Sequence, residues 1–88
     1  MPRRPIGKKR YLEPTPRETE VLTLVAHGQN ARQIAKKLGI SKRTVDAHMQ
    51  RATHKLGAAN TTQAVAILIA NKIIILDRRK LLSTVELR

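Results

Sequence analysis

Arg43, Asp46, Ala47, Gln50, Arg51 and His54 share one side of a seventeen-residue stretch, S-K-R-T-V-D-A-H-M-Q-R-A-T-H-K-L-G, running from Ser41 to Gly57. Long cationic and amide donors, one carboxylate and one small residue offer charge and directed hydrogen bonds, not bond-making chemistry. At about 100° per residue, Val45, Met49, Ala52 and Leu56 fall within roughly 60° of one another, so the other side is an apolar seam. Such a two-faced helix suits entry into DNA, with cations for phosphates and an amide for base edges. The competing reading is a basic face that is merely solvated. Catalysis is not expected: His27, His48 and His54 have no Cys, Glu or Asp companions at metal or triad spacing, and Asp46 and His48 point to different sides of one helix. No metal or cofactor is expected either. His48, at the edge of the seam, reads as a partly buried structural histidine; His54 faces outward, toward phosphate or solvent.

Positioning that helix requires the elements around it. Ser41 caps it and Gly57 ends it, and Gly39, Ile40 and Ser41 alone separate it from a preceding helix. A turn so short forces a steep crossing, which is helix-turn-helix spacing. The preceding helix starts at Asn30, boxed by Gln33; Ile34, Ala35 and Leu38 face inward and Gly39 offers a left-handed stop. The first helix starts at Thr15, with Pro16 at its first position and Glu18 as box partner, and ends near His27. Its inward stripe is Val21, Leu22 and Val25. Lys42 and Arg43 oppose the dipole of the third helix, a cost that a phosphate at its start would reverse.

A fourth helix begins at Asn60, with Gln63 three residues on, and contains A-V-A-I-L-I-A from Ala64 to Ala70. It is apolar on every side, more than three neighbours can bury. Ala64, Ile67 and Leu68 would pack inward, leaving Val65, Ala66, Ile69 and Ile73 for a partner, with Ala66 and Ala70 allowing close approach. The alternative cover is the chain's own ends. Residues 1–14 form a basic arm broken by Pro2, Pro5, Gly7 and Pro14, able to lie along phosphates or in a minor groove, or else a solvated tail. Residues 75–88 form a tail with a possible short fifth helix through Leu76, Leu81, Leu82, Val85 and Leu87. The domain between them spans 15–74.

Eighteen Lys and Arg against six Asp and Glu leave the 88-residue chain at +12, which draws it to polyanions. With no Phe, no Trp and only Tyr11, the core must be aliphatic and thin, and base stacking of the kind RNA-binding modules use is disfavoured. The absence of Cys fits a reducing cytosol. No run of some 18 apolar residues exists to cross a membrane, and the start lacks the apolar stretch of a secretory signal, so a cytoplasmic, nucleoid-associated protein is expected.

The string P-R-E-T-E-V-L-T-L-V-A-H-G, followed by I-A-K-K-L-G-I-S-K-R-T-V-D-A-H and K-L-G-A-A-N-T-T-Q-A-V-A, resembles the DNA-binding domain of LuxR-type regulators over residues 13 to about 74. The resemblance implies an all-α, four-helix domain whose third helix (42–56) enters the major groove and whose fourth often forms a dimer contact. It places base contacts on Asp46, Ala47 and Gln50, and backbone contacts on Ser41, Lys42, Arg43, Thr44 and Arg51, with Lys55 a weaker candidate. Two residues depart from it: many members are basic where this chain has Asp46, and Asn is common where it has Ala31. A carboxylate among phosphates is unfavourable unless it accepts from a cytosine amino group or pairs with Lys42 or Arg43 on its own helix. Gln50 is the better reader, since its amide can pair with adenine through two hydrogen bonds.

Regulators of this type usually carry a sensor or receiver domain ahead of the DNA-binding domain. No pocket-forming segment, phosphoacceptor motif or nucleotide loop is read here, so no ligand or phosphorylation control is expected within the chain, which is either an excised domain or a stand-alone protein. Two functions follow as expectations. One is a sequence-specific, double-stranded DNA-binding transcription regulator, homodimeric through the fourth helix, bound to an inverted repeat and with RNA polymerase as a candidate further partner. The other is a small interaction protein that pairs with a full-length LuxR-type regulator and modulates it.

Overall fold

A computed structural model describes residues 13–77. Four helices and no strand occur among them: α1 (Pro16–Ala26), α2 (Ala31–Leu38), α3 (Lys42–Lys55) and α4 (Thr61–Ala70). Each start is fixed by a side chain that accepts from the third helical residue's N–H. Thr15 takes Glu18, Asn30 takes Gln33, Ser41 takes Thr44 and Asn60 takes Gln63. At α1 and α2 the capping box is reciprocal, with Glu18 and Gln33 accepting the cap residues' own N–H groups. At α4 the return bond is displaced, and Gln63 Oε1 accepts from Ala59 at 2.6 Å. Gly39, at φ 71, supplies the left-handed residue that stops α2 and turns the chain into α3.

α3 packs against all three other helices. Two apolar clusters hold its inner face. Val45 joins Val21, Ile34 and Ala35, while Ala52 and Leu56 join Leu22, Ala64, Leu68 and Ile74. Met49 packs against both clusters and bridges them. The expected seam of Val45, Met49, Ala52 and Leu56 is therefore the face α3 buries. Val25 lies only half-buried at the edge of the first of these clusters.

Beyond α4 the chain turns back through Lys72, at φ 60, and drops Ile74 into the core at 2% exposure. The N–H groups of Ile73 and Ile74 both donate to Leu68 O. The Asp77 N–H then donates to His27 Nε2 at 2.8 Å, and His27 Nδ1 lies 2.9 Å from Thr23 O. Since Nε2 accepts, the ring proton sits on Nδ1 and donates to Thr23 O. This strap ties the chain after α4 to the end of α1. Residues 75–77 are not helical; the rest of the expected fifth helix, and the arm up to residue 12, lie outside the described residues.

Candidate nucleic-acid interface

With its inner face committed to the core, α3 turns a polar face outward. Ser41, Lys42, Arg43 and Thr44 at its start are all exposed, as are Gln50 and Arg51 further along, while Asp46 and Ala47 are half-buried. Ser41 Oγ accepts the Thr44 N–H at 3.0 Å and shares a hydrogen bond with Thr44 Oγ1 at 2.9 Å. These two hydroxyls thus start the helix as well as facing solvent. Lys42 Nζ donates to Asp46 Oδ2 at 2.9 Å. Of the two partners open to Asp46 on its own helix, the structure selects Lys42. Among the described residues Arg43 and Arg51 form no salt bridge, so their charge is available to a ligand.

Asp46, Met49, Gln50 and Thr53 line one side of an open groove of about 410 Å³, and Asn60 and Thr61 at the start of α4 line the other. The groove brings together two of the base-contact candidates, Asp46 and Gln50. Thr53, Asn60 and Thr61 were not anticipated. Thr53 continues the row of Asp46 and Gln50 along the helix, whereas Asn60 and Thr61 reach the groove only through the reversal of the chain after Gly57.

Lys55 is differently placed. Its ammonium donates to Glu18 Oε1 at 2.9 Å, and the Thr15 N–H donates to the same oxygen at 3.0 Å. Glu18 is 3% exposed, so Lys55 closes the end of α3 onto the start of α1. Burial pushes the Glu18 carboxyl up. The Lys55 hydrogen bond, the Thr15 N–H and the charges of Lys55 and Arg51 outweigh it, and hold the group below its ordinary value. The exposed cations of the face are thus Lys42, Arg43 and Arg51.

The histidines divide as their positions on the helices imply. His48 is half-buried, its Nδ1 enclosed without a hydrogen-bond partner among the described residues, and His54 is exposed. Among the described residues no group of three metal-ligating side chains occurs, and no helix is long and apolar enough to cross a membrane. On α4, Ala64 and Leu68 are fully buried and Ile67 packs against them. Val65, expected to face a partner, instead leans half-buried on the same core, because it lies beside Leu68 around the helix. Ala66, Ile69 and Ile73 are exposed.

Residues 15–68 match the family of bacterial regulatory proteins described as the luxR family, and the chain belongs to it. The family consists of DNA-binding transcription regulators and is not a class of enzymes. Over 74 residues the chain is 43% identical to the transcriptional activator protein BjaR1 of Bradyrhizobium diazoefficiens, covering 75% of this chain and 31% of that protein. It is 46% identical over 63 residues to the HTH-type quorum sensing-dependent transcriptional regulator RpaR of Rhodopseudomonas palustris, covering 72% of this chain and 25% of RpaR. Among solved structures it is similar to Vibrio cholera VqmA in a complex with ligand and DNA, at TM-score 0.61 and 30% identity, covering 75% of this chain and 29% of that one. The chain thus spans less than a third of the length of these relatives.

Proposed function

We propose that the chain regulates transcription as a dimer that sets two copies of α3 into successive major grooves, roughly 34 Å apart, on an inverted repeat. One observation carries the reading. α3 is locked by its inner face into two core clusters while Arg43, Gln50 and Arg51 stand outward, neither arginine in a salt bridge among the described residues. Ser41, Lys42, Arg43, Thr44 and Arg51 position the helix on phosphates, and Asp46, Ala47 and Gln50 meet base edges. Ala66, Ile69 and Ile73 supply the contact between copies, since apolar side chains at the end of so small a domain gain by being covered. Acting on DNA, the protein works in the cytoplasm at the nucleoid.

The test is a salt titration of binding to a selected duplex, with sedimentation of the free protein. Each phosphate contact contributes about 0.9 to the slope of log affinity against log salt, so Arg51→Gln lowers the slope by about that amount. Ile69→Glu leaves the helices intact and converts the dimer to monomer. Equal competition by scrambled duplex at moderate salt would refute the DNA reading, and an Ile69→Glu dimer would refute the α4 interface.

A further inference from the structure

The two oxygens of the Asp46 carboxylate are not equivalent. Oδ2 takes the Lys42 ammonium at 2.9 Å, whereas Oδ1 accepts no hydrogen bond among the described residues. The side chain is 46% exposed and lines the same groove as Gln50, one turn further along α3. An ionised carboxylate offers acceptors only, so on a base edge it can recognise only a donor. In the major groove the donors are the amino groups of cytosine N4 and adenine N6. Adenine sets its amino group beside the N7 acceptor, whose lone pair opposes a carboxylate, and cytosine carries no acceptor of its own on that edge.

We propose that Asp46 is a specificity-determining residue that selects cytosine, accepting from its N4 amino group through Oδ1 while Lys42 holds Oδ2. The proposal rests on α3 being the groove helix. Lys42 makes the arrangement tolerable among phosphates, because its ammonium has three donors and can hold Asp46 and a phosphate oxygen together. Four residues of helix advance about 6 Å, against 3.4 Å for each base step along a strand. The cytosine therefore falls within about two base steps of the adenine taken by Gln50.

Selection of bound duplexes from a random pool, run with the full chain and with three variants, decides the matter. The unaltered chain enriches a motif with cytosine at one position of each half-site, favoured by about tenfold. Asp46→Ala flattens that position and leaves the others unchanged, and Asp46→Asn moves it to adenine, the base an amide pairs with. Lys42→Gln breaks the ion pair without removing the carboxylate, so it weakens binding but keeps the cytosine. If Asp46→Ala still selects the same cytosine, or if Asp46→Ala and Lys42→Gln give one and the same altered motif, Asp46 reads nothing and only braces Lys42. If the unaltered chain enriches no motif, the reading of α3 as the groove helix fails, and the assignment of Asp46 with it.

Discussion

Replacing Lys55 by Met should cost more stability than replacing Glu18 by Gln, although both changes break the same ion pair. The reason is the unequal burial of the partners: Glu18 is 3% exposed, and the Lys55 side chain 22%. Glu18→Gln removes a charge-assisted hydrogen bond and leaves an ammonium that can turn toward water, a loss of about 1.5 to 3 kcal/mol. Lys55→Met leaves a carboxylate enclosed in the protein with the Thr15 N–H as its remaining hydrogen-bond donor, at about 3 to 5 kcal/mol. The double variant holds a neutral amide beside an apolar side chain, and should be more stable than Lys55→Met alone. For a domain whose core supplies only about 3 to 5 kcal/mol, Lys55→Met stands near the edge of folding at neutral pH.

The same asymmetry appears in the pH dependence. In the native chain Glu18 titrates below its ordinary value of 4.5, so it contributes stability at pH values above 4.5. That contribution is lost as the pH falls through the lowered folded value. Removing Lys55 takes away its hydrogen bond and its charge, while burial still acts upward against the Thr15 N–H and Arg51, so the carboxyl titrates higher than in the native chain. Acid therefore weakens Lys55→Met less than it weakens the native chain. Urea unfolding followed by helical circular dichroism at pH 7 and at pH 4 measures all four proteins. The penalty of Lys55→Met should shrink at the lower pH. A penalty below about 1 kcal/mol at pH 7, the range of exposed pairs, or one that does not change with pH would refute the account.

Ile74 tests whether the strap after α4 belongs to the fold: at 2% exposure, Ile74→Ala should cost about 2 to 5 kcal/mol in urea unfolding, as for any core aliphatic. A loss under about 0.5 kcal/mol, the range of surface substitutions, would show the strap to be dispensable. Lys72 holds a left-handed backbone at φ 60 where glycine carries no steric cost, so Lys72→Gly should raise stability by about 0.5 kcal/mol net of unfolded-state entropy. A thermal melt should show this as a rise of about 2 to 4 °C, and a fall would mean that the Lys72 side chain makes a stabilising contact.

What could be read in the chain before folding was what depends on residues three and four apart. Thr15 with Glu18 and Asn30 with Gln33 cap as expected, and Ser41 starts the outward-facing helix, because these bonds close within one turn. The seam of α3 followed from its period. Asp46 was undecided between two neighbours, and only the rotamers of Lys42 and Arg43 could choose. Lys55 shows where the local view ends. Its partner lies 37 residues away, so its basic character pointed toward phosphate when its ammonium closes the fold. The His27 to Asp77 bond spans 50 residues and was equally invisible. Val65 shows a different limit: on a helix apolar all round, period cannot tell which side is buried, and the packing of Leu22, Ala52 and Leu56 leaves Val65 half-buried.

The two clusters that grip α3 also explain how its exposed face can vary without loss of the fold. Val45 is held by α1 and α2, Ala52 and Leu56 by α1, α4 and the strap, and Met49 spans the gap. The helix is thus fixed near both ends by side chains on one face, and Glu18 and Lys55 close its far end through a contact off the exposed surface. Neither set draws on Gln50 or on the Lys42–Asp46 pair, whose side chains are 56% and 46% exposed and whose loss should cost little stability. On the proposed function, substitution at these positions would change which base edges are met, while the position of α3 is set elsewhere.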